Sequence, residues 1–279
     1  MKKCKRVGIF GGEGPIGREC VARVVRTLKQ MGVDTLIDGE VEGDVSSWNL
    51  DMGLSVGGDG TFLRTVAKVN KGKIPILGVN TGRLGFLADV RLEVLEEALV
   101  AILAGKFRIE ERVVLRLCTE SRFFKGFNYA LNEIAILKRD SSAMITIQTW
   151  LDNEFLTSYR ADGLVLATPT GSTAYSMSAG GPIVYPLCGC TLLSPVAAHS
   201  LSVRPLIVPD STRIKLKVIS RGDSFLIALD GRSEVFPAGM ELKVEKAAFA
   251  ARLVKPVGMS FYSTLREKLG WGAAIAGKD

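Results

Sequence analysis

Through the first hundred residues, short apolar runs alternate with longer stretches in which apolar positions recur every three or four residues. Arg6-Val-Gly-Ile-Phe10 has the texture of a buried strand, and a helix is expected from about Arg18 to Met31, beyond a glycine cluster. Asp34-Thr-Leu-Ile-Asp38 predicts a second strand and Met52 to Val56 a third. The third closes into Gly57-Gly58-Asp59-Gly60, with a helix from Thr61 to about Val69. Ile74-Pro-Ile-Leu-Gly-Val79 is a fourth strand, and Leu92 to Leu103 has helical spacing that stops before Gly105. Strand and helix in alternation predict a parallel sheet covered by helices.

Past Gly105 the texture changes. Val113-Val-Leu-Arg-Leu117, Ile134-Ala-Ile-Leu137, Met144-Ile-Thr-Ile-Gln148 and Gly163-Leu-Val-Leu-Ala167 are strand-like. So are Leu206-Ile-Val208, Ile214-Lys-Leu-Lys-Val218 and Phe225-Leu-Ile-Ala-Leu229, with turn residues between them and few helical stretches. The fold class expected is therefore an α/β N-terminal domain with a parallel sheet, followed by a β-rich, sandwich-like C-terminal domain. Residues 1–105 form the first domain and 106–255 the second. A helix from Ser260 to Trp271 carries the tail, 256–279, back to the first domain.

Composition narrows the partners more than the fold. At 279 residues, 47% hydrophobic and 23% charged, the chain is globular and long enough for a substantial core. A net charge of +7 favours an anionic partner: nucleic acid, a membrane surface or a phosphorylated small molecule. The basic residues are scattered, however, and the longest cluster is Lys2-Lys3-Cys4-Lys5-Arg6. No stripe interleaves them with aromatics, so nucleic acid is set aside. No stretch has the length of a membrane span or the form of a signal peptide. Five dispersed cysteines give neither a disulfide framework nor a zinc cluster, and the one histidine, His199, excludes multi-histidine metal sites. Cys188-Gly-Cys190 is read as two free thiols in a turn. A soluble, reducing, cytoplasmic setting follows.

Candidate chemistry lies in two glycine loops. Gly12-Glu-Gly14-Pro-Ile-Gly17 has the G-x-G-x-x-G form of a dinucleotide fingerprint, with Asp34 or Asp38 near the second strand. Yet Pro15 lacks an N–H and Glu13 repels phosphate, so the loop either lines a crevice or only turns the chain. The second loop, Leu54-Ser-Val-Gly-Gly-Asp-Gly-Thr-Phe-Leu63, places Asp59 among glycines at the start of a helix. Asp and Gly also suit ordinary turns, and Thr61 suits a helix cap. Its company is more telling. Gly78-Val-Asn-Thr-Gly-Arg-Leu-Gly-Phe86 follows the next strand, so two consecutive strand ends face the same crevice.

The β-rich half adds Asn132-Glu133 and the run Arg160-Ala-Asp-Gly-Leu-Val-Leu-Ala-Thr-Pro-Thr-Gly-Ser-Thr-Ala-Tyr-Ser-Met-Ser-Ala-Gly-Gly181. Its hydroxyls, Thr168, Thr170, Ser172, Thr173, Tyr175, Ser176 and Ser178, are denser than a turn requires. Together, Gly57-Gly-Asp-Gly-Thr61, Asn80-Thr-Gly-Arg-Leu-Gly-Phe86, Asn132-Glu133, Asp162-Gly163, Thr168-Pro-Thr-Gly-Ser-Thr-Ala-Tyr175 and Asp230-Gly231 closely resemble the NAD kinase family. Pro195-Val-Ala-Ala-His-Ser-Leu-Ser-Val-Arg-Pro205 also resembles it, so the likeness runs from about Leu54 to Arg232.

The resemblance implies a two-domain fold with a phosphate-donor domain and an NAD-binding domain, and phosphoryl transfer to the 2′-hydroxyl of the adenosine ribose of NAD, giving NADP. It implies Asp59 as the catalytic acidic residue, Gly60 against the phosphates and Phe86 packed on a base. Asn132 and Glu133 would engage ribose hydroxyls. Asp162, Thr170, Thr173, Ala174, Tyr175 and Ser178 would line the dinucleotide pocket, with Ala198 and Ser200 near it. The cofactor implied is Mg²⁺ or another divalent cation, with no protein ligand assigned to it. The donor is ATP, another nucleotide or polyphosphate, and a homodimer or homotetramer is expected.

The chemistry agrees independently of the name. A ribose hydroxyl is a poor nucleophile at neutral pH, and a nearby carboxylate that takes its proton helps. The donor needs its charge neutralised. Arg83 and Arg160 are the basic candidates nearest the motifs, Arg160 beside the dinucleotide residues, unless each is a surface charge. No Walker loop with its lysine is present. The rivals are a diacylglycerol-type lipid kinase, a non-catalytic NAD(H) sensor and a dehydrogenase built on the first glycine loop.

Overall fold

The computed structural model describes residues 4–40, 45–69, 74–88, 90–120, 122–139 and 144–272. Lys2 and Lys3 of the basic cluster and residues 273–279 of the tail lie outside them. The chain divides into two compact units, Met1–Glu111 with Ala251–Asp279, and Arg112–Ala250.

The first unit opens with β1 (Arg6–Gly11), α1 (Gly14–Gln30), β2 (Asp34–Ile37), β3 (Met52–Gly57) and α2 (Asp59–Val69). It continues with β4 (Ile76–Asn80), β5 (Val90–Arg91), α3 (Leu95–Leu103) and β6 (Phe107–Arg112). Cys20, Val24 and Leu28 recur at helical spacing on α1 and are its buried stripe. The helix begins at Gly14, ahead of that stripe, because Pro15 sits in the first turn, where its missing N–H leaves no bond unmade. α2 likewise starts at Asp59 rather than Thr61, which puts the carboxylate in the first turn. β4 starts at Ile76, after the proline that lacks a ladder donor. Val7, Ile9, Leu54, Val56, Leu77 and Val79 of the strands meet Val24, Leu28, Leu95 and Leu99 of the helices in one core.

The second unit comprises β7 (Leu115–Cys118), β8 (Tyr129–Ala130), β9 (Glu133–Leu137), β10 (Ile145–Leu151), β11 (Glu154–Ala161) and β12 (Gly163–Ala167). There follow α4 (Tyr175–Ser178), β13 (Cys190–Val196), β14 (Leu206–Pro209), β15 (Ile214–Ile219), β16 (Ser224–Leu229), β17 (Arg232–Pro237) and β18 (Glu241–Lys246). They form two six-stranded sheets, ordered β11-β10-β15-β18-β7-β8 and β14-β13-β12-β9-β16-β17. Leu117, Ile147, Leu216 and Val244 of the first sheet pack on Ile134, Ile136, Leu164, Leu166 and Ile227 of the second, a sandwich core. The other face of the second sheet, Ala135, Val165, Ala167 and Leu192, is covered by Tyr175 and Val184. Covered on both faces, β12 reads as an unbroken apolar run.

The chain then returns to the first unit as β19 (Ala251–Pro256) and α5 (Phe261–Leu269). β19 inserts between β4 and β6 in a seven-stranded sheet of order β2-β1-β3-β4-β19-β6, with β5 paired to β4. The β1–β3, β3–β4 and β4–β19 pairs are all parallel. Ser260 caps α5 in a reciprocal box with Ser263, and Gly270 ends it in the left-handed region at φ 61°. The fold class is the one expected from the sequence, an α/β unit with a mostly parallel sheet and a β-rich antiparallel unit.

Candidate functional site

In the first unit, Gly57 at the end of β3 is opposite Asn80 at the end of β4, so the two following loops leave the sheet at one edge. Asn80 is buried, and its side chain organises the second loop from within. Its amide Nδ2 donates to the carbonyls of Arg83 and Ala88 at 2.7 and 3.2 Å, and its Oδ1 accepts the Gly82 N–H at 2.7 Å. The loop so shaped aims three backbone N–H groups at Asp59. Phe86 donates to Oδ2 at 2.9 Å, and Leu87 and Ala88 donate to Oδ1 at 3.0 and 3.1 Å. Gly85 is glycine because a Cβ there would land on the Asp59 carboxylate. Lys268 of α5 completes the ring of donors, its Nζ lying 3.4 Å from Oδ2 and 4.5 Å from the centre of the Phe86 ring. Among the described residues, a Cβ on Gly58 or Gly60 would meet nothing within 4 Å beyond the adjoining chain, so this side of the loop is open. Asp59 is thus fixed in direction and reachable.

Phe86, expected against a base, has its ring 6.1 Å from that of Phe261 and under Lys268. Arg83 is exposed and contributes its carbonyl to Asn80. The first glycine loop is a joint between elements. The Gly12 N–H donates to the Val56 carbonyl at 2.9 Å, and Gly17 packs directly on the Gly12 backbone. Glu13 forms an exposed ion pair with Arg64 at 3.6 Å.

In the second unit the Asn132-Glu133 pair is gripped through its backbone. Asp230, in the tight turn between β16 and β17, accepts the N–H groups of Leu131, Asn132 and Glu133 at 2.7, 2.8 and 3.2 Å. From the other side the Thr168 N–H donates to the Asn132 carbonyl at 2.9 Å and its hydroxyl to the Leu131 carbonyl at 2.6 Å. Gly171 lies so close to the Asn132 carbonyl that no side chain fits between them. The backbone is saturated and the side chains are not. Asn132 Oδ1 and Glu133 Oε2 are buried and have no hydrogen-bond partner.

Burial pushes the Glu133 carboxyl up from its ordinary 4.5 to about 7, the Asp230 charge adds to the rise, and only the Tyr175 backbone N–H opposes it. Burial also raises Asp230, but its three backbone donors and the Arg232 charge resist. The proton of the pair therefore belongs on Glu133.

The dense hydroxyls divide into two groups. Thr168, Ser172 and Ser176 are fully buried and serve the fold. The Ser172 hydroxyl donates to the Pro169 carbonyl at 2.7 Å and accepts the Val184 N–H at 3.0 Å, while Ser176 meets the Ser194 hydroxyl at 2.9 Å. Of the residues expected to line a pocket, Thr170 accepts from Arg112 at 3.3 Å and Thr173 bonds the Thr170 carbonyl at 3.4 Å. Ala174 and Tyr175 are half-buried and Ser178 is exposed. Asp162 is paired with Lys138 at 2.7 Å. Arg160 is exposed on β11, and its carbonyl accepts the His199 N–H at 2.9 Å, which brings half-buried Ala198 alongside. Ser200 bonds Ser202 at 2.9 Å. Sequence reasoning gave no role to Asp230, Thr168, Gly85 or Lys268. The first three lie inside or beside the family motifs, whereas nothing in the sequence marks Lys268.

Among the described residues no group of three His, Cys, Asp or Glu side chains is placed to hold a metal, and no helix is long and apolar enough to cross a membrane.

Comparison with known proteins agrees with these motifs. The family model for the ATP-NAD kinase N-terminal domain matches residues 43–107, and that for the C-terminal domain matches residues 131–256. An NAD kinase of Bacteroides fragilis is 45% identical over 91% of this chain and 88% of its own. One from Cytophaga hutchinsonii is 46% identical over 80% and 76%. Among solved structures, yeast NADH kinase complexed with NADH is similar with a TM-score of 0.89 at 26% identity, over 100% of this chain and 91% of that one. An Archaeoglobus fulgidus NAD kinase in complex with ATP gives 0.80 at 29% identity, over 95% and 97%.

Proposed function

Because the chain belongs to the NAD kinase family, and is a kinase on that ground, we propose that it transfers a phosphoryl group from ATP, another nucleotide or polyphosphate to the 2′-hydroxyl of the adenosine ribose of NAD, giving NADP. The observation that carries the reading is the pair of orphaned acceptors, Asn132 Oδ1 and Glu133 Oε2, on an immobilised backbone. Buried polar groups are almost always satisfied, and two adjacent exceptions suit the hydroxyls of a ribose. Tyr175, Ser178 and Asp162 are read as further contacts of the dinucleotide, with Thr170, Thr173, Ala174, Arg160 and Ala198 shaping its pocket.

Asp59 acts as general base. One Asp59 oxygen takes the proton of the 2′-hydroxyl while the hydroxyl oxygen forms a bond to the transferred phosphorus. The bond between phosphorus and the leaving oxygen breaks, and with ATP the leaving group is ADP. The three N–H groups from Phe86 to Ala88 hold the carboxylate in one orientation through the transfer. Gly60 lies on the open side of the loop, where the phosphates approach. A divalent cation such as Mg²⁺ would neutralise charge on those phosphates. Asp59, the carboxylate of the loop, suits a cation brought in by the donor better than one held by the protein. The family supports reading the protein as a cytoplasmic homodimer or homotetramer.

The test is NADP formation from NAD, ATP and Mg²⁺, coupled to an NADP-specific dehydrogenase, with Asp59→Asn alongside. The variant is expected to lose about 10²- to 10⁴-fold in turnover while still binding NAD. A variant near the wild-type rate removes Asp59 from the mechanism. A wild type that binds NAD but makes no NADP, with ATP or polyphosphate, is a dinucleotide sensor instead.

A further inference from the structure

We propose that Lys268, near the end of α5, binds the phosphates of the phosphoryl donor, and that its contact with Asp59 is the resting form of the donor site. The inference rests on the kinase reading above and deepens it. Phosphoryl transfer needs fixed positive charge beside the transferred group, and this chain has no Walker lysine to supply it. Two basic side chains of α2 are already engaged: Arg64 with Glu13 and Thr61, and Lys68 with Asp38. Among the described residues, Lys268 is the cation paired with the loop's carboxylate, 3.4 Å from Asp59 Oδ2.

A purely structural role accounts poorly for this contact. Asp59 is already satisfied by three backbone N–H groups and does not need a lysine to complete it. Both side chains are about one-third exposed, at 32% and 28%, and a pair so wet adds little to stability. The mount is firm nonetheless. α5 is capped at both ends, buries Leu265 and sets Phe261 against Phe86. Glu267, the acidic neighbour on the same helix, is taken up by Arg91 and does not neutralise Lys268. Residue 268 also lies beyond the segments that the family models match.

The geometry gives the contact a consequence. A polyphosphate carries more negative charge than one carboxylate, so the ammonium exchanges Oδ2 for phosphate oxygens when the donor arrives. Oδ2 then keeps a single backbone donor, from Phe86, and is free to accept the ribose proton. Donor binding and unmasking of the base become one event.

The experiment uses the full chain with Lys268→Ala and Lys268→Arg. It measures ATP–Mg²⁺ binding by calorimetry and the KM values for ATP and NAD in the coupled assay, with thermal melts as a fold control. The alanine variant is expected to weaken ATP binding and raise its KM by about tenfold or more, with the KM for NAD within about twofold; arginine recovers most of the loss. An alanine variant with wild-type ATP affinity, while NADP still forms, overturns the lysine's role and spares the kinase reading. Faster turnover at unchanged ATP affinity likewise overturns it, and marks α5 as an inhibitory strap. Loss of ATP affinity in the variant, with no NADP made by the wild type, sustains the lysine and sinks the acceptor assignment. A wild type with no measurable affinity for ATP overturns the proposal.

Discussion

Asp59 and Glu133 are both half-buried carboxylates, one in each unit, and the protein treats them in opposite ways. Asp59 is met by three backbone N–H groups and a lysine, with both oxygens engaged. Glu133 has one buried oxygen without a partner and an anionic neighbour in Asp230. The first group is oriented by the protein itself, so a ligand has only to displace a cation. The second is incomplete until a ligand arrives. A group aimed before binding suits a chemical step, which needs direction. One left unsatisfied suits recognition, because the ligand's hydroxyls repair a cost already present in the fold.

Making Asp59 as unsupported as Glu133 would erase that contrast, and Gly85→Ala does so without touching the carboxylate. The new Cβ lands on Asp59 Oδ1, so the side chain must leave the N–H groups of Leu87 and Ala88. A displacement of about 1 Å in a catalytic group costs on the order of 10²-fold in turnover. Steady-state kinetics well below the melting temperature read that loss directly. Turnover within about threefold of wild type would show that the orientation of Asp59 does not matter.

Asp230→Asn sharpens the other side of the comparison. Asn keeps the shape but turns an NH₂ towards N–H donors that Asp230 now satisfies, leaving a buried donor unpaired at about 1–3 kcal/mol. Denaturant unfolding measures that cost. Loss of the charge also removes one cause of the raised Glu133 carboxyl, so any titration of NAD binding moves to lower pH. An unshifted profile would mean that Asp230 acts on Glu133 through shape alone.

How much of this was legible follows from what each residue depends on. Some buried strands stand out because a strand covered on both faces is an unbroken apolar run, as in Gly163–Ala167. Cys190–Val196 and Ala251–Pro256, buried too, are broken by polar residues and were not among the strands expected. β11 and β17 do not stand out either: they are edge strands with several exposed positions, and Glu154–Ala161 carries no apolar run to read. Asp59 is visible through its glycines and Asn132-Glu133 through the family motif. Asp230 shows as part of the Asp230-Gly231 family motif, with no role attached. Its grip on the Asn-Glu backbone is a contact across 97 to 99 residues that no local pattern encodes. Among the hydroxyls, Ser172 and Ser178 look alike in sequence, and only burial separates the strut from the exposed group. Lys268 was invisible for the same reason as Asp230, because the tail must fold back before it meets anything.

Glu133→Gln gives the smallest expected effect and the most direct reading of the contrast. In the folded protein burial, and then the Asp230 charge, raise this carboxyl from 4.5 to about 7, whereas in the unfolded chain it stays near its ordinary value. Between those two values the folded form holds a proton that the unfolded form has released. Stability without ligand therefore falls as pH rises from about 4.5 through about 7. NAD binding runs the other way. On the proposed reading the ribose hydroxyls donate to the ionised carboxylate, so affinity is expected to climb through the same upper value and level above it. Glutamine cannot ionise, so the Glu133 share of both slopes vanishes, and at about pH 8 NAD binds roughly three- to tenfold more weakly, the difference between a hydrogen bond to a charged acceptor and one to a neutral amide oxygen. Calorimetric titrations at about pH 6, 7 and 8 bracket the transition on either side of an ordinary carboxylate's shifted value. A wild-type affinity that is flat across that range, with a variant that matches it, would take Glu133 out of contact with the ribose and leave Asn132 to hold it alone.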